Sequence, residues 1–135
     1  MRNMSFSLTT EQVRDRSKTV TRRLGWWTLK PGTILQAVEK AQGLRKGEHV
    51  KPIGLIRVVS VTRESLDCIV DRYDYRETAR EGFPDLTSYA FIGMFTKANH
   101  CTYDTSVNRI EFAYVSDGIL EAFRRDRRSD REGTA

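Results

Sequence analysis

Ser17-Lys18-Thr19-Val20-Thr21-Arg22-Arg23 sets β-prone Thr and Val among three basic side chains, and the reading of this chain turns on it. In a strand, side chains two apart share a face, so Thr19, Thr21 and Arg23 point one way and Lys18, Val20 and Arg22 the other. Just upstream, Thr9-Thr10-Glu11-Gln12 has a hydroxyl three residues before a Gln, the pattern of a capping box. It predicts a short helix ending near Arg16 or Ser17. Lys18 then stands at a helix–strand junction, where a side chain can turn into a cleft. A Lys and a Thr brought together form a base–nucleophile pair if the amine is desolvated and its pKa falls. The alternative is a surface strand whose Thr residues supply β-propensity and whose bases are solvated.

Reading outward, Ser5-Phe6-Ser7-Leu8 alternates like a short strand, and Lys30-Pro31-Gly32-Thr33 has the residues of a turn. Ile34–Glu39 is expected as a strand, 41–52 as a polar loop with two glycines, and Ile53–Thr62 as the strongest strand of the chain. A short helix is expected over Glu64–Arg72. Ala79-Arg80-Glu81-Gly82-Phe83-Pro84 reads as a helix end with Gly as its cap and Pro as a stop. A further helix, capped by Asp85 or Thr87, runs through Phe91 and Phe95, whose i,i+4 spacing suits packing. Val107–Val115 closes the pattern as an alternating strand, with Val107, Ile110, Phe112 and Tyr114 as core candidates. Strands separated by turns, with short helices between them, predict an α+β fold: a small mixed β-barrel decorated by helices.

The 135 residues make one domain, expected over 1–120, with a charged tail over 121–135 that lacks an apolar anchor beyond Phe123. A short helix from Gly118 to Arg125 is expected to lead into that tail. No apolar run approaches the roughly 18 residues needed to cross a bilayer. The start of the sequence lacks the apolar stretch of a secretory signal, so a cytoplasmic location is expected. Cys68 and Cys101 stand far apart and fit no ligand spacing, so two reduced thiols and no metal or other cofactor are expected. The net charge is +5, and the first 30 residues alone carry seven basic and two acidic side chains. Such a patch either attracts a polyanion or is a solvated face. Trp26 and Trp27 beside it could stack on bases, or one could pack in the core and leave the other half-exposed.

SKTVTRR followed by Leu29-Lys30-Pro31-Gly32-Thr33-Ile34-Leu35 resembles the signature of ASCH domains, a PUA-like family. Ala79-Arg80-Glu81-Gly82-Phe83 is similar to the family's acidic E-G-F turn, and Asn108-Arg109-Ile110-Glu111-Phe112 to its closing strand. The combination is most similar to short ASCH proteins of bacteriophages and actinobacteria, which would place a phage-encoded chain in the host cytoplasm. The chain departs from the pattern at Ser17, where a Gly is usual, at Thr33 in place of an Asp, and in the inserted loop 41–52.

The resemblance implies a PUA-like barrel that binds RNA, another single-stranded nucleic acid or a modified nucleoside. Arg16, Lys18, Arg22, Arg23 and Trp26 are the residues expected to contact it. It also implies an alternative, a small amidohydrolase acting on N4-acylated cytidine. There Lys18 would activate the Thr21 hydroxyl and Glu81 would handle protons, with Glu77, about one helical turn earlier, as the rival carboxylate. A third reading is a phage protein that binds a host protein through the 41–52 loop or the Arg-rich tail.

Overall fold

The computed structural model describes residues 1–41, 43–116 and 125, so the expected Gly118–Arg125 helix, the tail and the domain boundary at 120 lie outside the described residues, Arg125 apart. The elements are β1 (Asn3–Ser5), α1 (Thr10–Arg14), β2 (Val20–Arg23), β3 (Ile34–Val38), β4 (Pro52–Ser65), α2 (Cys68–Asp71), α3 (Glu77–Arg80), α4 (Ser88–Asn99) and β5 (Ser106–Tyr114). The five strands form one mixed sheet in the order β1-β3-β4-β5-β2. Only the β1–β3 pair is parallel.

The α+β class is as expected; the closed barrel is not. β1 and β2 are the two edges of the sheet and exchange no ladder hydrogen bonds. One side chain spans them instead: Arg23 on β2 donates from NH2 to the Ser5 carbonyl on β1 at 2.6 Å. β1 is too short to close a barrel because the chain turns at Phe6, where the Thr9 amide donates back to the Phe6 carbonyl. The expected strand over Ser5–Leu8 is therefore mostly turn, with Leu8 exposed.

Two other expectations change in detail. The capping box does not form, since the Thr9 side chain makes no cap hydrogen bond; Thr10 Oγ1 donates to the Phe6 carbonyl instead. The helix expected from Glu64 shrinks to Cys68–Asp71, because Glu64 and Ser65 stay in β4 opposite Val107 and Ser106 of β5. By contrast, α4 is capped by Thr87, whose hydroxyl accepts from the Ala90 amide at 3.1 Å.

The apolar residues form two cores. Met4, Phe6, Val13, Leu35, Ile56, Ile110 and Phe112 fill the inside of the curled sheet under α1. Leu66, Ile69, Phe91, Phe95 and Val107 fill a second core under α2 and α4. The strand β5 serves both, with Val107 in the second and Ile110 in the first. Ile110 is fully buried, so Ile110→Ala should destabilise the fold by about 2–5 kcal/mol, read from the shift of its urea midpoint.

Candidate functional site

The chain between α1 and β2 is pinned so that Lys18 enters the interior. α1 ends in Asp15, and Arg16 then takes a left-handed φ of 66°. The Lys18 amide donates to the Gln12 carbonyl, the Thr19 amide to the Arg80 carbonyl, and the Tyr114 hydroxyl to the Lys18 carbonyl. From the other side, α3 ends at Glu81, and Gly82 turns the chain with a φ of +99°. A Cβ on Gly82 would stand 3.2 Å from the Gln12 side chain, so both the turn and the close approach of α1 require glycine here.

This turn aims two of the three oxygens of one residue at one amine. Lys18 Nζ donates to the Glu81 carbonyl at 2.5 Å and to Glu81 Oε1 at 3.0 Å. Arg22 bridges two carboxylates, donating from NH1 to Glu81 Oε2 at 3.0 Å and from NH2 to Glu77 Oε2 at 2.7 Å. Arg109, directly opposite Arg22 on β5, grips Glu77 with both prongs of its guanidinium, at 2.7 and 3.0 Å. Tyr73 lies under both arginines, 5.1 Å from Arg22 and 4.5 Å from Arg109, and its hydroxyl donates to Glu64. Arg22 Nε and Glu64 Oε2 are buried without a hydrogen bond among the described residues.

The environment tunes these groups. Burial pushes the Lys18 amine below its ordinary range, an effect that the neighbouring Glu81 only partly offsets. Burial alone would raise Glu77, but the hydrogen bonds from Arg109 and the charge of Arg22 outweigh it and hold the carboxyl down. Burial lowers Arg23 to about 10, leaving it protonated at neutral pH.

A cavity of about 250 Å³ opens where the two cores meet. Lys18, Thr21, Arg22, Arg23 and Glu81 line it together with Phe6, Phe83, Phe91, Phe95 and Asn99. All three residues of the Lys–Thr–Glu constellation therefore reach one space. Of the two candidate carboxylates, Glu81 faces it and Glu77 lies behind, gripped by its arginines. Thr21 Oγ1 accepts from Arg23 Nε at 3.0 Å, as their shared face requires.

The residues expected to contact nucleic acid divide. Lys18 and Arg23 line the cavity. Arg22 also belongs to its wall, but its side chain is wholly buried between Glu77 and Glu81, which leaves it no surface to offer a phosphate. Arg16 lies elsewhere, 5.7 Å from the Tyr114 ring. Trp26 packs against the first core with Arg2 stacked 4.2 Å from its ring, while Trp27 is 45% exposed beside Arg63. Sequence reasoning missed Glu64, Tyr73 and Arg109. A charged residue between apolar positions of a strand was the one signal for Arg109.

No family model matches the sequence, and no curated protein matches it. Among solved structures, the crystal structure of an ASCH domain from Lactobacillus crispatus JV V101 is similar, with a TM-score of 0.53 and 15% identity. The match covers 84% of this chain and 79% of that one. The chain thus has the ASCH domain fold. No helix among the described residues is long and apolar enough to cross a membrane.

Because Glu77 is clasped by two buried arginines, Glu77→Gln should destabilise the fold by about 3–5 kcal/mol, measured by urea unfolding. A carboxylate with a depressed folded-state pKa contributes stability above its unfolded value and loses it as pH falls. Glu77 is lowered from 4.5, and Asp74, hydrogen-bonded by Arg80, from 3.8 to about 2. The unfolding midpoint should therefore fall as pH drops below about 4.5, and fall less steeply in Glu77→Gln.

Proposed function

We propose that the cavity binds a single nucleobase, presented by RNA or another single-stranded nucleic acid or as a modified nucleoside. The observation that carries this reading is the make-up of the cavity wall: four phenylalanines facing a polar edge of Lys18, Thr21, Glu81 and Asn99. Apolar walls with a few placed polar groups are the mark of small-molecule sites. A volume of about 250 Å³ suits one base or nucleoside and not a large cofactor. Lys18 and Arg22 are matched by Glu81 and Glu77, so the interior offers hydrogen bonds to a neutral polar edge more than charge to a phosphate.

Calorimetric titration with ordinary and N4-modified nucleosides tests the reading. Saturable one-site binding is expected for at least one of them. Ala98→Phe, a change on the exposed face of α4 that narrows the mouth of the cavity, should abolish it. Binding that survives in Ala98→Phe, or no binding to any base, overturns the proposal.

A second reading, hydrolysis of an N4-acylated cytidine, is favoured by the lowered pKa of Lys18 and by the Thr21 hydroxyl on the same cavity. Thr21 Oγ would attack the acyl carbonyl as its proton passes to the Lys18 amine. The exocyclic nitrogen would leave with a proton delivered through Glu81, and water would then hydrolyse the Thr21 ester to release the acid. Thr21→Val should stop cytidine release from N4-acetylcytidine while nucleoside binding persists; release undiminished in that variant excludes Thr21 as nucleophile.

A further inference from the structure

A second concavity, of about 390 Å³, adjoins the first. It is lined by Asn3, Ser5, Ser7, Arg23, Trp26, Lys40 and Ala41, and it shares Ser5, Ser7 and Arg23 with the base-sized cavity. Arg23 therefore stands on the wall between the two. Its Nε donates to Thr21 and its NH2 to Ser5, while NH1 carries no hydrogen bond among the described residues. Among the described residues no carboxylate lines the second concavity, in contrast to the first with its Glu81. Lys40 forms no ion pair among the described residues and is exposed, and Trp26 offers an indole that the core covers in part and on which Arg2 stacks at 4.2 Å, a further cation that a base lying there would displace or stack beside.

A directional cation at a junction, with an indole and a second cation beyond it, matches the repeat of a nucleic-acid strand: base, phosphate, base, phosphate. We infer that the second concavity holds the nucleotide next to the bound base. Its linking phosphate would meet Arg23 NH1, its base would lie against Trp26, and the next phosphate would meet Lys40. The ligand of the whole surface is then a single-stranded oligonucleotide and not a free nucleoside. This rests on the base-binding reading of the first cavity.

The test uses a Trp27→Phe protein, in which Trp26 is the sole indole. It is titrated in parallel with nucleosides and with five-nucleotide homopolymer RNAs of the same bases. The oligomers should bind at least tenfold tighter than the nucleosides and quench Trp26 emission, while the nucleosides leave it nearly unchanged. Lys40→Ala should lower the salt slope of oligomer binding by about 0.7, the loss of one phosphate contact on a single strand, and leave nucleoside binding intact. Equal affinity for nucleoside and oligomer, or an unchanged slope in Lys40→Ala, overturns the inference and leaves the base-binding reading standing. Binding of neither ligand overturns both.

Discussion

Arg22 and Arg109 are direct cross-strand partners on β2 and β5, a pairing of like charges that disfavours the sheet unless an anion comes between them. Glu77 supplies that anion. It accepts from both arginines and so ties α3 to the sheet at one point. Once α3 is fixed there, Glu81 at its end is delivered to Lys18 and to the far side of Arg22. Buried ions cost several kcal/mol each to desolvate, so this cluster is poor evidence for added stability. Its consequence is placement: α3 is registered against β2, β5 and the junction at Lys18, and the candidate side chains Lys18 and Glu81 are held at the cavity wall.

The same cluster separates two kinds of basic residue. Lys18 and Arg22 are matched inside by carboxylates, whereas Arg23 and Lys40 line the second concavity and Arg2 stacks on Trp26 beside it. The positive excess of the first 30 residues is therefore not one uniform patch. Part of it is neutralised in the interior, Arg14 is paired with Glu11 and Glu39 on the surface, Arg16 lies beside Tyr114, and Arg23 lines both concavities. The proposed recognition of a base inside and of a backbone at the rim uses this division.

Much of the local structure was legible. The alternation of SKTVTRR identified β2 and the shared face of Thr21 and Arg23, and the order Glu-Gly-Phe-Pro identified the turn after α3. Thr87 and the β5 pattern were likewise readable, because each rests on neighbours in sequence. What escaped depends on partners far along the chain. Glu64 stays in β4 only because Val107 pairs with it, and Arg22 turns inward only because Glu77 and Arg109 arrive there. The open sheet depends on a turn at Phe6 that simple alternation conceals. Arg16 and Trp26, neighbours of the motif in sequence, are carried away from the cavity by their left-handed backbone conformations.

The proposed ligand site is the Lys18–Glu81 cavity, and not the Arg16 side or another face. The most direct measurement is a two-dimensional amide NMR titration with the nucleoside that binds best. The largest shifts should fall on Ser7, Thr21, Glu81, Gly82 and Phe83, with α4 following and the Arg16–Tyr114 region undisturbed. Shifts centred on Arg16 and Tyr114, or scattered over the charged surface with none at Glu81 and Gly82, would contradict it.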